Sequence, residues 1–206
     1  MINFACISPH APMFLPNIGR KEDRELVKKT TESLEFLGKK LSEQKNYSII
    51  ISSPHEDWGF NVPLYFIAKN FNGEIKKVLI GGESSEFYFK EGQKNYGLLD
   101  ENKNYALIAS GDMSHTLKED GPYGFSPEGP RYDAGLIKYL KNKDIEKIFK
   151  LDDDYPEAGE CGLRSICFIL GILEAAKINW QAEILSYEGP FGVGYLTVNF
   201  LLRAKQ

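Results

Sequence analysis

The opening stretch of the chain restricts the fold more than any other part. An apolar run, Ile2–Ser8, is followed by residues 21–44, where Leu26, Leu34, Leu37 and Leu41 recur among charged side chains at helical spacing. Asn46 closes that helix, and Tyr47–Ser53 (YSIIISS) reads as a short, almost continuously apolar strand. A strand of this kind is covered on both faces, as in a parallel sheet. Strand, long helix, strand makes a βαβ unit with a right-handed crossover, so the chain reads as α/β.

Further strands read at residues 62–68, 77–80, 105–110, 181–187 and 194–202, and helices at 84–98, 129–150 and 160–176. In the last helix Leu163, Ile166, Leu170 and Leu173 keep the three- to four-residue spacing of one buried face. The strand at 194–202 alternates irregularly, as an edge or antiparallel strand would. Gly and Pro crowd residues 121–130 (GPYGFSPEGP) and 187–194 (YEGPFGVG), which read as tight loops. The chain has 206 residues, 42% of them hydrophobic, with no linker and no fixed-period repeat. One domain spanning 1–206 is expected.

Histidine is scarce, with three in the chain. His10 closes Ser8-Pro9-His10 after the first strand, and His55 closes Ser53-Pro54-His55 after the second. His115 ends residues 110–115 (SGDMSH), after the strand at 105–110. Each sits just past the carboxyl end of a strand, where open α/β sheets bind ligands. Proline ends ladder pairing and fixes φ, so the next side chain projects from the rim at a set angle. A lone loop histidine is more often an ordinary hydrogen-bonded residue; the joint placement carries the functional reading. Three imidazoles converging on one rim suit a metal or acid–base site, and an added carboxylate would favour iron(II).

A fourth group lies in Ala158-Gly159-Glu160-Cys161-Gly162, at the start of the helix read over 160–176. A thiol at a helix N-terminus has a lowered pKa, and Glu160 is placed either as an acid or as an ordinary capping residue. Cysteine is also often just a small buried residue. Cys6 and Cys167 fall inside a strand and a helix and read as core. Trp58, Tyr123 and Tyr187 are the aromatic candidates for substrate contact, with Phe14, Phe125 and Phe191 nearby in sequence. Each taken alone is as readily a packing residue.

Several classes are disfavoured. With 25 basic and 29 acidic residues the net charge is −4, which argues against nucleic-acid binding through bulk charge. No G-x-G-x-x-G or P-loop spacing is present to cradle phosphate, and no G-x-S-x-G elbow supports a serine nucleophile. The first residues lack a basic signal-type segment, and no run reaches the ~18 apolar residues of a membrane span. Cys161 and Cys167, six apart on one helix, face opposite ways and are not expected to pair. A cytoplasmic location follows as the expectation.

Six segments, in order, carry a family resemblance: residues 8–12 (SPHAP), 53–56 (SPHE), 110–115 (SGDMSH), 120–130 (DGPYGFSPEGP), 157–165 (EAGECGLRS) and 186–195 (SYEGPFGVGY). Together they resemble the class III extradiol dioxygenase family, and within it the Memo-like proteins of the AmmeMemoRadiSam group. The resemblance implies a single α/β sandwich whose central mixed, partly parallel sheet is flanked by helices. It implies His10 and His55 as ligands to non-haem Fe(II). It also implies His115 as the acid–base for a catechol-like substrate reacting with O2, with Asp112 in the same catalytic segment. Where the family has a third-ligand carboxylate, this chain has Cys161, as Memo-like proteins do, with Glu160 beside it. Glu160 on the metal would make a two-His-one-carboxylate site, whereas Cys161 would suit zinc, copper or a differently tuned iron. The expected activity is therefore a metal-dependent oxidoreductase cleaving catechol-like aromatics. The alternatives are a Memo-like metal- or peptide-binding protein without ring cleavage, and a zinc hydrolase with His115 as base. The resemblance further implies an AMMECR-type or radical-SAM partner protein and, in many relatives, a second C-terminal domain.

Overall fold

The computed structural model describes residues 1–45 and 47–204; Asn46, expected at the end of the long helix, lies outside the described residues. Six strands form one sheet: β1 (Ile2–Ser8), β2 (Tyr47–Ser53), β3 (Ile75–Leu79), β4 (Asn104–Ser110), β5 (Ile178–Glu188) and β6 (Tyr195–Ala204). Their order is β3-β2-β4-β1-β6-β5. The four strands from β1 to β4 run parallel, and β6 lies antiparallel between β1 and β5. The helices are α1 (Lys21–Glu25), α2 (Lys28–Ser42), α3 (Trp58–Ile67), α4 (Ser85–Tyr96), α5 (Glu128–Asn142), α6 (Ile145–Phe149), α7 (Leu151–Asp154) and α8 (Leu163–Ala175). This is the α/β sandwich around a mixed, partly parallel sheet that the sequence indicates.

Alternation along the central strands sets the layers, because successive side chains point to opposite faces. Ala5 and Ile7, Ile50, and Leu107 and Ala109 face one core, closed by α4, α5 and α8. Phe4 and Cys6, Ile49 and Ile51, and Ala106 and Ile108 face the other, closed by α2 and α3. Fully burying one such Leu, Ile or Phe contributes roughly 1.5–3 kcal/mol, so burial on both faces holds the parallel strands in place.

Four local readings change. Residues 62–68 are not a strand; all but Ala68 complete α3. Their Val, Tyr, Phe and Ile suit either state, and a short apolar run does not separate a strand from a buried helix by periodicity. The helix read over 21–44 is two helices, broken at Val27 (φ −120°, ψ 28°), and Leu26 is exposed rather than core. Glu188 at the end of β5 explains the restart. Its carboxylate accepts from the Thr30 N–H (2.8 Å) and hydroxyl (2.7 Å), satisfying a free donor of the first turn of α2. The helix read over 129–150 divides at Lys143, whose left-handed φ of 59° ends α5 as a glycine usually would. Finally, α8 begins at Leu163 rather than Glu160. The strand read over 194–202 is antiparallel, and it is interior rather than an edge. Among the described residues no helix is long and apolar enough to cross a membrane.

Candidate metal and active site

Because β2, β4 and β1 are neighbours, the loops leaving their carboxyl ends emerge side by side. Register levels those ends: Ser8 pairs with Ser110, and Ser52 with Ala109. The three histidines follow these strand ends as the sequence indicates. The His10 and His55 ring centroids lie 5.1 Å apart, edge to face. One donor atom each from His10, His55 and Cys161 lies within 4.8 Å of the other two.

Cys161 reaches the rim from the loop before α8, and two glycines allow the approach. A Cβ on Gly111 would fall 2.2 Å from the Gly162 Cα, so the loops touch backbone to backbone. Across that contact the Asp112 N–H donates to Cys161 Sγ (3.3 Å), which lies 3.4 Å from His10 Nε2. The helix-terminus reading of Cys161 is therefore corrected. The residue precedes α8, and burial, reinforced by Asp112, pushes its thiol well up rather than down. All three cysteines are free, as the spacing of Cys161 and Cys167 requires.

Glu160 turns away from this group. Its carboxylate accepts from the Leu163 N–H (2.5 Å) and from Arg164 (3.2 Å), and Arg164 also pairs with Asp152 (3.0 Å). It therefore caps α8 and is not one of the three converging donors. Burial, with Asp152 adding to it, raises its carboxyl.

Asp112 is buried beside His10. One oxygen accepts the His10 backbone N–H (2.9 Å), and the other is 4.0 Å from His10 Nε2. Burial lifts the Asp112 carboxyl to about 6, against the pull of that N–H. Burial and then His55 lower the His10 imidazole to about 3, so it is neutral at neutral pH. His115 is held by its N–H to the Ala158 carbonyl (2.9 Å), and its ring packs on Tyr123 (centroids 5.0 Å apart). Burial lowers its pKa as well. Its Nε2 is buried and has no hydrogen-bond partner among the described residues. An unsatisfied buried nitrogen costs about 1–3 kcal/mol, which an incoming ligand group would relieve.

The aromatic candidates separate. Trp58 stands against His55 (centroids 5.5 Å apart) and Tyr123 against His115, and both rings remain partly open to solvent. Phe125 is exposed and pairs its backbone with Leu117, giving the Tyr123 loop a hairpin shape. Phe14 is core, packed edge to face on Tyr195, and Phe191 packs against the same core. The Tyr187 hydroxyl donates to Asp133 (2.5 Å), and the residue lines a cavity of about 560 Å³ along α5 with Pro130, Ala134 and Ile137. Sequence reasoning missed Tyr195, which is buried and whose hydroxyl is raised by burial and then by Asp112. Its signals were its position directly after the last glycine of the 187–194 loop and its place at the end of the 186–195 segment.

The donor set fits a metal ion. Tetrahedral ligands at about 2.0–2.1 Å for nitrogen and 2.3 Å for sulfur stand roughly 3.3–3.6 Å apart. The 3.4 Å between His10 Nε2 and Cys161 Sγ already has that spacing. A thiolate in so dry a place also needs a cation beside it.

A family model described as the catalytic LigB subunit of aromatic ring-opening dioxygenase matches residues 55–198, more than half of the chain. The chain belongs to the LigB family. His55, Asp112, His115 and Cys161 of this LigB-family protein lie within the match, and His10 precedes it. A protein of Clostridium acetobutylicum, whose name states no activity, is 30% identical over 266 aligned residues, covering 94% of this chain and 56% of that protein. The LigB-family chain thus spans about half the length of that relative.

Proposed function

We propose that this chain is a metal-dependent oxidoreductase acting on catechol-like aromatics, with His10, His55 and Cys161 as metal ligands. One observation carries the reading: three donors converge on the same rim where the His115 Nε2 is buried without a partner among the described residues. Bound iron(II) with open positions would supply the O2 chemistry. The chain's own residues supply the rest. Neutral His115 accepts a substrate hydroxyl proton at Nε2 and can return it. Trp58 and Tyr123 offer ring faces to a flat aromatic substrate and exclude water from it.

Anaerobic loading with Fe(II), followed by O2 and a panel of catechols and aminophenols, tests the proposal. Ring-opening absorbance with at least one of them is expected, and bound iron without turnover of any would overturn it. His115→Gln should lower kcat about 10²–10⁴-fold while bound metal stays unchanged. Loss of metal in that variant would make His115 a ligand instead.

A second reading is favoured by the thiol itself. Cys161 in place of a carboxylate is a soft donor, suited to copper(I) or zinc. The site would then hold a metal without opening a ring, in a cytoplasmic protein working with an AMMECR-type or radical-SAM partner. Tight copper or zinc binding, with iron excluded in competition, separates this reading from the first.

A further inference from the structure

We infer that Ser110 is a positioning residue for His10, deciding which ring nitrogen carries the proton, and that Pro63 makes this possible from inside α3. Pro63 has no N–H, so the carbonyl four residues earlier, that of Gly59, lacks its usual helical donor. Fully buried Ser110, at the end of β4, takes that donor's place: its hydroxyl donates to the Gly59 carbonyl. The same Ser110 oxygen lies 3.0 Å from His10 Nδ1. A hydroxyl has one proton, and a carbonyl oxygen only accepts. The proton is thus committed to Gly59, and the Ser110 oxygen must accept from His10. Nδ1 therefore carries the ring proton.

Nε2 is left with its lone pair facing Cys161 Sγ at 3.4 Å. That nitrogen is the one a metal shared with Cys161 needs unprotonated. Asp112 does not reverse the choice, since one of its oxygens is occupied by the His10 backbone N–H and the other is 4.0 Å from Nε2, beyond hydrogen-bond reach. Gly59 must be glycine for its carbonyl to lie here, because a Cβ would fall 2.1 Å from Ser53 Oγ. Ser53 Oγ in turn accepts the His55 N–H (3.1 Å). The first turn of α3 thereby braces both histidine-bearing loops.

The role of this relay rests on His10 being a metal ligand, as proposed above, but its first test needs no metal. Nitrogen NMR of the metal-free protein with 15N-labelled histidine, assigned with His10→Asn, reports the tautomer. His10 is expected to show a protonated Nδ1 and an unprotonated Nε2. In Ser110→Ala the Nε2–H form should become populated, and affinity for added Fe(II) or Zn(II) should fall about 10–100-fold. Ser110→Thr, which keeps the hydroxyl, should restore the original spectrum. An Nε2–H tautomer in the natural protein, or an unchanged spectrum in Ser110→Ala, overturns the inference. If neither variant folds, the spectrum of the natural protein alone decides. The inferred tautomer in a protein that binds no metal would uphold the relay and overturn the metal reading instead.

Discussion

Replacing Gly171 with alanine is expected to destabilise the fold by about 3 kcal/mol or more. Helices α8 and α4 meet along their backbones. A Cβ on Gly171 would stand 2.0 Å from the Phe89 carbonyl oxygen, and one on Gly92 would stand 2.0 Å from that of Phe168. Neither obstacle is a side chain that could rotate away, so the helices must separate and loosen the core around Phe168 and Ile172. Forcing extra atoms into a packed interior costs typically 1–3 kcal/mol, and more where main chain has to move. Gly135 in α5 is the control. Its added Cβ would meet the flexible end of Leu151 at 3.1 Å, and alanine is the better helix former by about 1 kcal/mol. Gly135→Ala should stay within about 1 kcal/mol of the natural protein or gain slightly. Urea unfolding compares the two, and equal midpoints would refute the backbone-contact account.

The second large effect concerns Asp133, buried under the rim between Ser114 and Tyr187. Burial raises its carboxyl to about 6, even though the Tyr187 hydroxyl (2.5 Å) and Ser114 N–H (2.9 Å) pull it down. The sign follows from comparing the two states. Above about pH 6 the folded chain keeps a buried carboxylate that the unfolded chain exposes to water, so the charge disfavours folding. Well below about pH 4 the group is neutral in both states and the penalty is gone, and near pH 4 most of it already is. Acidification from 6 towards 4 therefore relieves it. Asp133→Asn keeps the shape without the charge. Its stability relative to the natural protein should rise by roughly 2–3 kcal/mol between about pH 4 and pH 7.5. Denaturant midpoints at the two pH values measure this, and a constant difference would show that the two hydrogen bonds already compensate the charge.

Legibility followed the range of the interactions involved. The histidine-bearing loops could be read because each lies directly after an apolar strand, and strand ends are local signals. The state of residues 62–68 could not, since helix and strand compete on equal terms in a short apolar run until packing on β2 and β4 decides. Glu160 and Cys161 are adjacent, and which one faces the rim depends on the turn at Gly159 and on the contact of Gly162 with Gly111, a residue about fifty positions away. Tyr187 looked like part of a pocket wall because it opens a glycine loop. Its hydroxyl is instead drawn to Asp133 on α5, which no local pattern discloses.

By itself, the order of apolar and polar residues determined an α/β sandwich and put three histidines at the carboxyl rim of its parallel strands. Periodicity and proline placement suffice for that, because both act within a few residues. The tertiary structure decided that Cys161 rather than Glu160 completes the donor group, and that Ser110 and the Gly59 carbonyl hold His10. These depend on the sheet order placing β4 between β2 and β1, and on backbones near enough to touch only where glycine allows it.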